Sequence, residues 1–248
     1  MASLMRTSNP ALNEKAFKGQ VAIGDAMTLQ GTVNKTGLLL LCVVATAAWT
    51  WGLSHSEAPA AAIPWMTGGI VGGFIVALVT IFKKTWSPFT APLYALLEGL
   101  ALGGISVVFE KTYHGIAIQA VGLTLGTLFV MLLAYKTGMI RATQGFKVGV
   151  IAATGGIAVF YLVEMVLSFF FHFQFAAING GGRWGIAFSL FVVVIAALNL
   201  VLDFDMIETG VRGGAPKYME WYGAFGLMVT LIWLYLEMLR LLAKANRK

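Results

Sequence analysis

A chain of 248 residues that is 58% hydrophobic and only 11% charged, with a mean hydropathy of +0.82, is too apolar for a soluble domain, in which about a quarter of residues are charged. Its net charge of +6 is scattered between apolar stretches and forms no concentrated basic face, which excludes nucleic acid as a partner. The only cysteine, Cys42, rules out an intramolecular disulfide and reads as a small apolar side chain.

In chain order, residues 1–35 mix Arg6, Glu14, Lys15, Lys18, Asp25 and Lys35 with no long apolar core. A cleavable signal peptide would place an apolar segment directly after its basic start, so this reads as a retained N-terminal segment on the cytoplasmic side. Residues 36–248 read as a single transmembrane helical domain. Crossing about 30 Å of hydrocarbon takes about 20 helical residues. Seven stretches qualify: 37–53, 60–82, 89–109, 116–135, 148–171, 184–202 and 221–242. The expected fold is therefore all-α, a polytopic membrane protein built as a seven-transmembrane-helix bundle. The first stretch is short and must extend or tilt. Residues 203–218, rich in Gly and charge, read as a loop or a partly re-entrant stretch, tolerated only where protein or water surrounds it.

The glycines suggest close helix packing. Gly68, Gly69, Gly72 and Gly73 form overlapping small-xxx-small pairs, Gly99, Gly103 and Gly104 do likewise, and Gly155 with Gly156 serves the fifth span. Orientation follows the bias of Lys and Arg toward cytoplasmic loops. A cytoplasmic N-terminus puts Lys83, Lys84, Lys136, Arg141, Lys147, Arg212 and Lys217 inside, with only Lys111 and Arg183 in opposite loops. The tail, with Lys244, Arg247 and Lys248, runs against this rule, so either the tail tolerates it or a stretch within 203–237 does not fully cross.

Catalytic signatures are missing: the sequence has no phosphate loop, nucleophile elbow or zinc-protease motif, and the reading is not an enzyme. His55, His114 and His172 fall in short loops without ligand spacing, so a structural zinc site and bound cofactors are not expected. The acids carry the chemistry instead. Glu98, Glu164, Asp203, Asp205 and Glu237 lie in or at the ends of apolar stretches. Such a group costs roughly 2.5–3.5 kcal/mol on insertion scales and normally faces a protein interior or a wet cavity. Desolvation disfavours the charged form of any carboxylate, so these groups are candidates to exchange protons or cations. Glu98 sits about mid-span, Glu164 nearer one end, and Glu237 is spaced to pair with Arg240. Asn199 and Asp203 share a helix face, while Asp205 points elsewhere. Protonation turns a carboxyl from pure acceptor into donor, which is enough to switch a helix contact. Carboxylate oxygens also suit hard cations such as Ca²⁺, making Asp203 and Asp205 a transient metal site.

Tyr94-Ala-Leu-Leu-Glu-Gly-Leu-Ala-Leu-Gly-Gly, Ala197-Leu-Asn-Leu-Val-Leu-Asp-Phe-Asp-Met-Ile and Leu234-Tyr-Leu-Glu-Met-Leu-Arg-Leu-Leu resemble the transmembrane Bax inhibitor motif (Bax inhibitor-1) family. Arg6-Thr-Ser-Asn-Pro-Ala-Leu and Met27-Thr-Leu-Gln-Gly-Thr-Val-Asn-Lys-Thr-Gly resemble its prokaryotic branch. The resemblance implies a seven-helix bundle with a central last helix and a pH-sensitive calcium leak, in a bacterial cytoplasmic (inner) membrane. It also implies gating by two aspartates on the last two helices, the first falling on Asp203, with Asp205 as the register alternative. Here the chain departs from the pattern: residues 223–236 hold no acid, and Thr230 stands where the second aspartate belongs. Asp203 and Asp205 acting together, a second carboxyl from Glu98 or Glu237, or a different gate would each answer this. Glu98 matches a glutamate of the family's second helix.

The leading expectation is a Ca²⁺ (cation) leak gated by protonation of Asp203 and Asp205, with Glu98 and Asn199 along the path, and Glu164, Thr230, Glu237 and Arg240 in supporting roles. Its partners are the lipid bilayer, Ca²⁺ and protons. The rivals are a proton-coupled cation or solute exchanger, and a non-transporting regulator that binds proteases or other membrane proteins.

Overall fold

The computed structural model describes residues 25–54, 61–173 and 175–247. The N-terminal residues 1–24, His55, the start of the second expected span at residue 60, and Lys248 lie outside the described residues. Among the described residues, seven helices are long and apolar enough to cross a membrane: α1 Leu29–Ser54, α2 Ala62–Phe82, α3 Ser87–Thr112, α4 Ile116–Lys136, α5 Gln144–Phe171, α6 Arg183–Arg212 and α7 Met219–Asn246. The expected all-α, seven-span architecture is what the chain adopts. A 3₁₀ turn, Lys84–Trp86, leads into α3, and a single helical turn, Ala176–Asn179, precedes α6.

Local chemistry sets the helix ends. Thr143 caps α5, its hydroxyl accepting from the Phe146 N–H at 3.3 Å. That helix stops at His172, whose φ of 52° is left-handed. Glu110, near the end of α3, accepts from the backbone N–H groups of Gly115 and Ala117 and so caps the start of α4. Pro88 stands in the first turn of α3, where a missing N–H costs nothing.

Two boundaries differ from the sequence reading. α1 begins at Leu29 rather than at residue 37, because its first turns carry Gln30, Asn34, Lys35 and Thr36 and do not register as apolar. More consequentially, residues 203–212 are helix, not loop. Glycine and acids read as breakers there, yet Gly210 is tolerated inside the helix and Arg212 pairs with Glu208 one turn earlier. Gly213 and Gly214, the latter at φ 65°, provide the actual stop.

The described chain divides into two compact units. One takes the residues up to Ala117 together with Asp205–Val229; the other takes Ile118–Phe204 and the residues from Thr230 on. In the first, α3 packs along both α1 and α2, which barely touch each other. Glycines make this possible. A Cβ on Gly103 would stand 2.9 Å from the Ala47 Cα and closer still to its carbonyl oxygen. Gly99 meets Val43 in the same way, and a Cβ on Gly69 would stand 2.8 Å from the Ala101 nitrogen. These positions fit the close-packing reading. Gly68, Gly155 and Gly156 do not: among the described residues nothing lies within 4 Å of a Cβ on any of them, contrary to the expectation from sequence. A sequence motif marks where approach is allowed, not where a neighbour comes.

In the second unit, Ile157, Val192 and Ile195 form a core against which Ala153, Tyr161, Phe188, Leu198 and Trp233 pack. Phe160 adds ring contacts with Phe175 at 5.6 Å and Phe188 at 5.1 Å. α6 and α7 are the most buried of the seven helices.

Candidate functional site

Because α6 continues to Arg212, Asp203 and Asp205 stand inside a helix rather than at its end. Every residue from Asn199 to Phe204 is buried, which a helix with one solvated or lipid-facing side cannot achieve. Asp203 has 0% exposure. Asp205 is half-buried, and two helical residues turn it about 200° from Asp203, so the two carboxyls diverge. Asn199 lies one turn before Asp203 on its face. Its Nδ2 donates to Thr154 Oγ1 of α5 at 2.8 Å and to the Ile195 carbonyl at 2.8 Å. Thr154 was invisible to sequence reasoning, as a lone threonine in an apolar run.

Glu98 lies near the middle of α3 and is half-buried. The Tyr94 hydroxyl, one turn earlier, hydrogen-bonds to it. Tyr94 is itself buried and held edge-on by Phe225, with ring centroids 4.9 Å apart. Gly73 of α2 makes room for the carboxyl: a Cβ there would stand 2.8 Å from Glu98 Oε1.

Further along α7, Glu237 is 1% exposed. Arg240 Nη1 donates to its Oε1 at 2.8 Å, so the pairing suggested by the spacing is present. The third member has no local signature. The Tyr161 hydroxyl of α5 lies 3.1 and 3.2 Å from the two Glu237 oxygens, and the Arg240 guanidinium sits over the Tyr161 ring at 5.1 Å. Thr230, two turns before Glu237, is buried as well. Glu164 is half-buried and accepts from the Asn179 amide. Lys244 Nζ donates to the Ile178 carbonyl and to Ser189 Oγ, each at 2.8 Å.

Tyr161→Phe removes a hydroxyl from a buried carboxylate, a bond worth about 1.5–3 kcal/mol when one partner is charged. Its thermal midpoint in detergent is expected to fall, and that of Arg240→Met to fall further, since the latter leaves the Glu237 charge without its cation. An unchanged midpoint in both would remove this triad from the stabilising core.

A fully buried carboxylate that sequence reasoning passed over is Glu220, in the first turn of α7. Acids are common in first turns, so nothing in the local sequence sets it apart. Among the described histidines, His114 and His172 are exposed, as loop residues should be. Among the described residues no three His, Cys, Asp or Glu side chains converge to hold a metal ion.

A family model described as Bax inhibitor 1 like matches residues 9–247, nearly the whole chain. No curated protein and no solved structure matches it.

Proposed function

The chain belongs to the Bax inhibitor 1 like family and is an integral membrane protein; from that premise we propose that it is a pH-sensitive leak for Ca²⁺, gated by protonation of a buried carboxyl. The observation that carries the reading is Asp203, an ionisable group with no exposure inside a membrane-spanning helix. Groups so placed are expensive and are kept where ions or protons move. Ionised, Asp203 only accepts hydrogen bonds; protonated, it also donates one, so the preferred packing of α6 differs between the two forms. Asn199 and Thr154 anchor the adjacent turn of α6 to α5, which gives the switch a fixed point.

Asp205 points away from Asp203 and takes the role of a secondary, wetter acid. Glu98 lines the path as a carboxylate tethered by Tyr94. Thr230 replaces the second aspartate of the family pattern, so gating here uses one aspartate of that pair. The protein sits in a bacterial cytoplasmic membrane with its N-terminus inside, and needs no cofactor.

Ca²⁺ entry into dye-loaded proteoliposomes across a pH series tests this. Flux above that of empty vesicles, changing with pH, is expected. Absence of flux at every pH would end the leak reading, and uphill movement driven by a proton gradient alone would replace it with an exchanger. In the same assay Glu98→Gln is expected to lower the rate without moving the pH midpoint.

A further inference from the structure

One polar cluster has no part in the proposed leak, and it gathers where α1 begins. Glu220 has no solvent exposure. Its Oε1 accepts from the Thr28 backbone N–H at 2.8 Å and the Thr28 hydroxyl at 2.9 Å, with Lys217 Nζ 3.3 Å away. Its Oε2 is bound by the Lys35 ammonium, which also lies 5.4 Å from the centre of the Trp221 ring. The same Thr28 hydroxyl accepts from the Gly31 N–H at 2.9 Å, so the residue that starts α1 is itself held by Glu220. Two backbone bonds run alongside: the Met27 N–H donates to the Ala215 carbonyl at 2.7 Å, and the Lys217 N–H to the Asp25 carbonyl at 3.1 Å.

A pairing this short does not persist in water by itself. The carboxylate makes the difference. Its bonds to Lys35 and Thr28 are charge-assisted, and it sits at the positive N-terminal end of α1. Gly31 completes the fit, because a Cβ there would overlap the Glu220 carboxyl.

We propose that residues 25–28 are a strap clasped by Glu220 onto the turn between α6 and α7 (residues 213–218), and that strap and turn open together as one unit when the clasp is broken. The clasp is all-or-none. Losing the carboxylate strands the Thr28 N–H and the Lys35 ammonium at once, and the two backbone bonds cannot hold alone. Opening frees the starts of α1 and α7 simultaneously while leaving their later turns intact. The device does not depend on the leak reading.

Hydrogen exchange on the full chain in detergent, resolved at Met27, Thr28 and Lys217, tests it. In the natural chain these amides should exchange slowly, with a shared opening equilibrium. Glu220→Gln, nearly isosteric, keeps an acceptor for Thr28 but removes the charge from that bond and sets a neutral amide against the Lys35 ammonium; it should accelerate all three by about tenfold or more while α5 stays unchanged. Gly31→Ala, which leaves every polar group in place but fills the space of the carboxyl, should do the same. The proposal is overturned if Met27 and Lys217 open independently in the natural chain, if they exchange there as fast as unstructured peptide, or if neither variant accelerates them. The natural-chain measurement decides even where a variant fails to fold.

Discussion

Replacing Asp203 with Asn is expected to flatten the pH profile of Ca²⁺ flux. Asn keeps the size and polarity of a protonated carboxyl but cannot lose a proton, so the sensor is fixed in its neutral form. Burial disfavours the charged form of a carboxyl relative to the neutral one, and the ionised form of Asp203 therefore favours a wetter, looser arrangement of α6. Flux in the natural chain should accordingly rise with pH, by about tenfold per unit on the acid side of its midpoint, as the ionised fraction does. The Asn variant should stay at the low-pH rate throughout. Asp205→Asn serves as the comparison: half-buried and turned away from Asp203, it should shift the profile little. A full pH response surviving in Asp203→Asn would move the sensor to another group.

Gly103→Ala should be, with Gly99→Ala, among the most damaging single methyls in the first unit. The added carbon would press on the backbone of Ala47, including a Cα at 2.9 Å, and backbone cannot rotate aside as a side chain can. Overpacking of this kind costs about 1–3 kcal/mol, occasionally more. Gly126→Ala in α4 gives the opposite result. Among the described residues nothing lies within 4 Å of a Cβ there, so the change should stabilise by up to about 1 kcal/mol through helix propensity alone. Thermal unfolding of both variants in the same detergent checks the pair. Equal midpoints would mean that α1 and α3 do not approach as closely as described. The contrast separates two glycines that look alike in sequence, each in a G-x-x-x-G pair.

Legibility tracked the distance between partners. Glu237 and Arg240 are three residues apart on one helix, and their pairing followed from spacing. The third member, Tyr161, lies 76 positions away and gave no local sign. Glu220 has a near partner in Lys217, but an acid–base pair at a helix start is ordinary; what sets the site apart is Thr28, 192 positions distant, and Lys35, 185 away. Acids and glycine normally mark loops in a solvated chain, whereas here Asp203 is enclosed and Glu208 is paired with Arg212, so the helix runs through 203–212.

The sequence by itself determined that this chain crosses a membrane as seven helices, since without water each backbone group must be satisfied within its own segment, and only long apolar helices do that. It also placed the ionisable groups along those helices. Which faces meet was decided by the tertiary structure alone. The enclosure of Asp203, the clasp at Glu220, and the division between crowded Gly103 and open Gly126 are properties of neighbours far away in the chain, and a periodic pattern specifies a face without specifying what will cover it.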